Sequence, residues 1–231
     1  DSDLSLGTVK VKGNVKQPGE YRIISGDSIF DILVRSGGLT ENAFISGLIF
    51  TRLEEQKREK RSIDRLRREL DKSIAIALES TKSGTTSVES IAALREISLA
   101  SSDFKPIGRV TGNFTDLETL KATKISSGDS IFIPSKPTSV TLVGEVMSPG
   151  SILWQKDFNV NSYIDSAAGF TQLAEKKRIF VISPNGQAKL KSNLWGSNNN
   201  ILPGSVIVVP RKIQLASSLE KISAVTEVVY Q

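Results

Sequence analysis

The chain has 231 residues, 39% of them hydrophobic and 24% charged, with 17 Gly and 8 Pro; this is room for one large or two small folded domains, and too apolar for wholesale disorder. Cysteine and histidine are both absent, which excludes disulfide stapling, thiolate or histidine nucleophiles, the usual zinc sites and a histidine pH switch. Thirty Lys and Arg against 25 Asp and Glu leave a net charge of +5, a mild surplus that suits anionic partners without implying them, and no stretch approaches the ~20 apolar residues of a membrane-spanning helix.

Asp1-Ser2-Asp3-Leu4 has no basic or apolar region of the signal-peptide kind,. With Met147 the sole methionine, the expectation is that translation began upstream of Asp1. The first predicted strand holds Val9, Val11 and Val15, interrupted by Gly13 at a bulge or a close backbone approach,. Pro18-Gly19 reads as the centre of a type II turn, proline presetting φ and glycine taking φ > 0,. Tyr21, Ile23 and Ile24 resume the strand. Ser28 then caps a short helix, with Asp31 as its capping-box partner and Ile29, Ile32 and Leu33 as its buried stripe,. Gly37-Gly38 ends it, with Gly38 expected as the left-handed residue just past the helix,. Leu48 to Thr51 is a further strand.

Residues 53–100 read as a helical hairpin inserted in this unit. Ile63, Leu66, Leu70, Ile74 and Ala77 recur at three- and four-residue steps through a charged helix from Leu53 to Glu79,. Thr86-Ser87-Val88-Glu89 caps a shorter one with Val88, Ile91, Leu94 and Ile97,. The chain returns to the sheet at Ile107-Gly108-Arg109-Val110, passes a short link from Phe114 to Leu120, and closes on Ser127 to Pro134, an apolar strand stopped by proline,.

The whole pattern then repeats. Val9 to Gly19 is matched by Val140 to Gly150 at a constant offset of 131 residues, and the match runs without a gap to Ala43 and Ala174,. Gly144 takes the place of Gly13, Pro149-Gly150 of Pro18-Gly19, Asn159 of Ser28, and Gly169 of Gly38. Val160, Ile164 and Ala167 form the second helical stripe, Ile179 to Ile182 the next strand, and Pro203 to Pro210 the closing one. In place of the hairpin stand a tight turn, Ser183-Pro184-Asn185-Gly186, and a polar loop containing Trp195 and Asn198. The fold class is therefore α+β: two tandem β-grasp domains, 8–135 and 136–212, the first carrying the inserted hairpin. Residues 213–231 form an amphipathic helix, Leu215, Leu219, Ile222 and Val229 on one side, which needs a surface to lie against,.

Little in the sequence supports catalysis. The glycines make neither a dinucleotide fingerprint nor a P-loop, and Asp27 with Asp31 reads as helix capping. Asp129 reads as a turn acid. The basic run from Arg58 to Arg68 is interleaved with acids, nine basic to seven acidic over residues 52–79, which is a solvated helix and no nucleic-acid stripe. Lys176-Lys177-Arg178 is a denser surface patch. Trp154 falls where Ile23 stands and reads as core, whereas Trp195 in its Gly/Asn loop is open between lid, interface and ligand contact,. With Asn198 and the Lys176–Arg178 patch it makes up the candidate glycan or subunit contact; no catalytic, cofactor or metal residue is assigned.

Gly13, Pro18-Gly19, Gly37-Gly38-Leu39-Thr40, Arg52, Gly108-Arg109-Val110 and Gly128-Asp129, with Gly144-Glu145-Val146, Pro149, Gly169, Asn185-Gly186, Pro203-Gly204 and Val209-Pro210, make a pattern that resembles the SLBB (soluble-ligand-binding β-grasp) domain. The chain resembles the SLBB-repeat portion of bacterial Wza-like polysaccharide export proteins over about residues 8–210. The resemblance implies a periplasmic, outer-membrane-associated protein that is no enzyme, needs no cofactor and binds no nucleic acid. It implies a homo-oligomeric ring when full length, polysaccharide as cargo, and an inner-membrane export or co-polymerase protein as a further partner. The export domain that precedes the repeats in that family is not among these residues. The alternative is a soluble saccharide-binding module.

Overall fold

The computed structural model describes residues 6–82, 105–191 and 201–212, and also Ala92, Arg95 and Leu99, which are helical. The chain divides into two units, Asp1–Lys136 and Pro137–Gln231. In the first, alternation of apolar and polar residues makes β1 (Thr8–Gly13) a strand with Val9 and Val11 turned inward,. β2 (Gly19–Arg22) returns antiparallel beside it. Then follow α1 (Ile29–Arg35), a 3-10 turn (Ile45–Gly47), β3 (Ile49–Thr51), α2 (Leu53–Lys82), β4 (Arg109–Val110), α3 (Leu117–Ala122) and β5 (Ser130–Ile133). The sheet runs β2-β1-β5-β3-β4, with β1 and β5 parallel at its centre and antiparallel partners outside them.

Unit two has β6 (Ser139–Gly144), β7 (Gly150–Leu153), α4 (Val160–Ser166), β8 (Phe180–Ile182), β9 (Ala188–Leu190) and β10 (Val206–Val209). Its sheet runs β7-β6-β10-β8-β9, with β6 and β10 parallel. These are two similar sheet-and-helix domains, as the repeat requires. The likeness extends to single hydrogen bonds. Asn14 N–H donates to Ile133 O at 2.8 Å and Glu145 N–H to Val209 O at 2.9 Å; Gln17 N–H reaches Ser36 O at 2.9 Å and Ser148 N–H reaches Ala167 O at 3.0 Å.

In each domain the helix covers one face of the sheet. Ile29, Ile32 and Leu33 bury against Val9, Val11, Phe50, Ile131 and Ile133. Val160, Tyr163, Ile164 and Ala167 do so against Val140, Leu142, Val181, Ile207 and Val209. Each such side chain withdrawn from water contributes roughly 1.5–3 kcal/mol before conformational entropy is counted. Tyr163 stands where α1 has Ile32, and its hydroxyl accepts from Gln155 N–H at 3.0 Å, so the larger side chain buries no unpaired polar atom,. Both caps form as the sequence indicates. Ser28 Oγ accepts from Asp31 N–H at 3.3 Å and the Asp31 carboxylate accepts from Ser28 N–H at 2.9 Å; Asn159 accepts from Ser162 N–H at 3.0 Å.

Several expectations are corrected. The Pro-Gly pairs are not type II turns. Gly19 has no positive φ, and Gly150, at φ 155°, lies outside the left-handed well near 80° that such a turn needs,. Each glycine is instead the first residue of the returning strand, opposite Val11 or Leu142. The left-handed glycines are instead Gly13 (φ 84°) and Gly144 (φ 92°), the last residues of β1 and β6. A Cβ there would stand 2.1 Å from the Ile133 or Val209 carbonyl oxygen, so only glycine fits,.

The helix ends also differ from expectation. The first residue past the cap is Gly37 in α1 and Ala168 in α4, and both residues of each pair are left-handed, at φ 77° and 82° for Gly37-Gly38 and 61° and 87° for Ala168-Gly169. Gly38 and Gly169 occupy the next position, their N–H groups reaching back to Leu33 O and Ile164 O at 2.9 Å, the Schellman arrangement,. Ala168 is the one non-glycine with positive φ among the described residues.

The insertion grows from the tip of the β3–β4 hairpin. Ser183 N–H donates to Gln187 O at 2.8 Å across the tight turn of unit two, and Arg52 N–H donates to Gly108 O at 2.8 Å at the matching place in unit one. Where the sequence leads to the expectation of a polar loop after Gly186, the chain instead forms β9, the edge strand matching β4. The Glu59 carboxylate accepts from Ile107 N–H and Gly108 N–H at 3.1 and 2.9 Å and fastens the base of α2 to the returning chain. α2 runs to Lys82, beyond the expected Glu79. Its half-buried line passes through Ile63, Arg67, Leu70, Ile74 and Ala77, and Leu66 lies off it, 49% exposed. The expected caps and stripe at 86–91, Leu94 and Ile97, and the helix at 213–231, lie outside the described residues.

Candidate functional site

Each helix leaves the other face of its sheet open, and the strand registers set out that face row by row. In unit one, one row reads Glu20, Lys10, Ser130, Thr51, Arg109 across all five strands. The next holds Lys12, Phe132 and Ile49, and Arg22 stands opposite Thr8 in a third. The matching rows of unit two read Ser151, Thr141, Val206, Ile182, Ala188; then Val143, Val208, Phe180, Leu190; then Leu153 opposite Ser139. Every charge on the first face has an uncharged counterpart on the second. One face is cationic with an aromatic, Phe132, 38% exposed; the other is uncharged and mostly apolar, with Leu153 71% exposed.

A depression of about 330 Å³ opens between β1 and β2, lined by Lys10, Lys12, Pro18, Gly19 and Glu20. Nothing lies within 4 Å of where a Gly19 Cβ would be, so the space beside it is open. Lys10 pairs with Glu20 at 3.1 Å, both more than half exposed. Among the described residues no acidic side chain pairs with Lys12 or Arg22.

Asp129 is no simple turn acid. Its carboxylate is fully buried, accepts from Ser126 N–H at 2.9 Å and pairs with Arg52, whose Nη2 lies 3.1 Å away. Arg52 also stacks on the Phe50 ring at 5.1 Å. Asp27 pairs with Arg35. The Asp31 carboxyl is held below its ordinary pKa by the Ser28 hydroxyl and then the Ser28 backbone N–H, and burial lowers Arg109. Among the described residues no three acidic side chains are grouped to hold a metal ion, and no helix is long and apolar enough to cross a membrane.

Of the residues singled out in the sequence, Trp195 and Asn198 lie outside the described residues. Lys176, Lys177 and Arg178 are exposed on unit two. Lys176 lies 5.0 Å over the Phe170 ring. Trp154 is half-buried against the second core, and its Nε1 donates to Ile201 O at 2.6 Å. Sequence reading missed the two open faces, which only the register brings together.

Residues 8–55 and 139–188, one segment in each repeated unit, match the SLBB domain family. Over its full length the chain is also similar to two polysialic acid transport proteins, KpsD, of Escherichia coli, at 24% and 23% identity across 235 aligned positions. It is a distant relative of these polysaccharide transport proteins and spans 40% of their length.

Proposed function

We propose that the chain is a periplasmic section of an outer-membrane polysaccharide export protein, of the capsule or exopolysaccharide kind. The observation that carries this is the tandem of SLBB-type units in a chain aligned end to end with part of two polysaccharide transport proteins. In this reading the chain does no catalysis. The units form wall segments of a homo-oligomeric ring and guide the glycan passively past polar surfaces that do not hold it tightly. An inner-membrane export or co-polymerase protein delivers the polymer.

The uncharged open face of unit two, with Val143, Val208, Phe180 and Leu190 in one row, favours contact with other protein, because large apolar side chains left in water forfeit burial. The rival reading is a saccharide-binding module with no channel role, favoured by the depression beside Gly19.

Deletion of the gene in the source bacterium tests the proposal, with surface polysaccharide measured by labelling intact cells. Export predicts loss from the surface, accumulation inside, and restoration by the intact gene. Normal surface display in the deletion strain contradicts it.

A further inference from the structure

The two open sheet faces share a backbone and differ in chemistry, and that difference has a use. On β1, Lys10 and Lys12 lie on the same face two residues apart, which sets their Cα atoms ~7 Å from one another,. Phe132 stands beside Lys12 in register on the β5 side of β1, and Pro18 and Gly19 line the depression with Lys12 on the β2 side. The cations are available: Lys12 and Arg22 face no acidic side chain among the described residues, and Lys10 shares only the solvent-exposed Glu20, a pairing of the kind worth little in water. At about 330 Å³ the depression is at the small end of ligand sites,.

We infer that this face of unit one is a docking surface for an acidic polysaccharide, one whose sugars carry carboxylates. The ammonium groups of Lys12 and Lys10 meet carboxylates, Arg22 engages the next one along the polymer, and Phe132 offers its ring to the C–H face of a sugar. A single aromatic and few cations make a shallow, weak surface, suited to a polymer that must move on. Unit two is a control within the same chain. The positions that match Lys10, Lys12, Pro18, Gly19 and Glu20 hold Thr141, Val143, Pro149, Gly150 and Ser151, with no cation among them. The inference rests on the export reading for the class of polymer and adds its charge and its contact face.

The test is a nitrogen-15 NMR titration of the whole chain with oligogalacturonate, with maltohexaose as the neutral arm and polyphosphate as the anion without a sugar. The expected result is movement of the amide signals of Lys10 to Gly13, Gly19 to Arg22 and Phe132 by oligogalacturonate, with Thr141 to Leu153 still. Lys12→Gln combined with Arg22→Gln should weaken binding at least fivefold, and Phe132→Ser at least twofold, in variants whose spectra show an intact fold. Equal shifts with maltohexaose, tighter binding of polyphosphate, shifts of equal size at Thr141 to Leu153, or unchanged affinity in the variants would each overturn it. A null titration fails this inference alone, because the export reading is judged by surface display in the deletion strain.

Discussion

Asp129 and Arg52 form a buried pair that unit two does without. The Arg52 Nε and Nη2 lie 3.3 and 3.1 Å from Asp129 Oδ2, with the Asp129 side chain fully buried and Arg52 27% exposed. At the corresponding positions stand Ser183 and Ser205, the latter 1% exposed. The same fold therefore closes over an ion pair in one copy and over two small hydroxyls in the other. Removing one charge leaves the other without its ionic partner, whereas removing both leaves no unpaired charge. Asp129→Ser should cost unit one about 2–3 kcal/mol. The double variant Arg52→Ser with Asp129→Ser should cost less than the sum of the two singles, as measured by a double-mutant cycle in urea. Strict additivity would mean the two side chains do not act as a pair.

Ala168 holds a left-handed conformation at φ 61°, where unit one has Gly37, and its side chain is exposed. For an L residue this costs roughly 1–2 kcal/mol, offset in part by the greater unfolded freedom of glycine. Ala168→Gly should stabilise unit two by about 0.5–1 kcal/mol. Gly169→Ala, at φ 87° with open space around its missing Cβ, should destabilise it by about 1 kcal/mol. Both tryptophans, Trp154 and Trp195, belong to unit two, so their fluorescence in a denaturant melt reports these changes.

Gly13 and Gly144 are constrained by space as well as by φ. A Cβ 2.1 Å from the closing strand's carbonyl oxygen has to push apart the central parallel pair, at a cost of about 3 kcal/mol or more. Gly144→Ala should lower the midpoint of the tryptophan-detected melt sharply. Gly13→Ala should leave that midpoint in place and instead speed amide exchange in β1 and β5.

Much of this was legible in the sequence because it is local. The 131-residue repeat, the Ser28–Asp31 capping box, the Asn159 cap and the helical stripes depend on neighbours within one or two turns of chain. What failed depended on distance. Pro18-Gly19 looks like a type II turn until the fold shows Gln17 N–H tied to Ser36 O at the helix end and Gly19, with no positive φ, already paired opposite Val11. Asp129 looks like a loop acid until the fold brings Arg52, 77 residues away, against it. β9, at three exposed residues, carries no alternation of its own and exists because β8 offers an edge. The opposed characters of the two open faces were invisible for the same reason: the rows are assembled from five separated strands.

Asp31 gives the pH dependence a sign. Its folded pKa lies below the ordinary value because the Ser28 hydroxyl and N–H bond the charged form, so the folded state favours the carboxylate. The resulting stability is present above about pH 4 and is lost as pH falls through the depressed folded value. Ser28→Ala should cost about 1 kcal/mol at neutral pH through loss of the cap and should raise the Asp31 pKa. Carbon-13 detected titration of the Asp31 carboxyl reads the shift, and an unchanged midpoint would show that Ser28 does not set it.

The export reading meets its most direct test in cells that are making the polymer. A photo-crosslinking amino acid is placed at solvent-facing positions of both units, Lys12 and Leu153 among them, and the polysaccharide is metabolically labelled. The account predicts labelled glycan conjugated to the protein on irradiation at some of these positions, disappearing when polymer synthesis is blocked, together with conjugates between copies of the chain. No glycan conjugate at any position during active synthesis, with the protein present in the periplasm at normal levels, would contradict it.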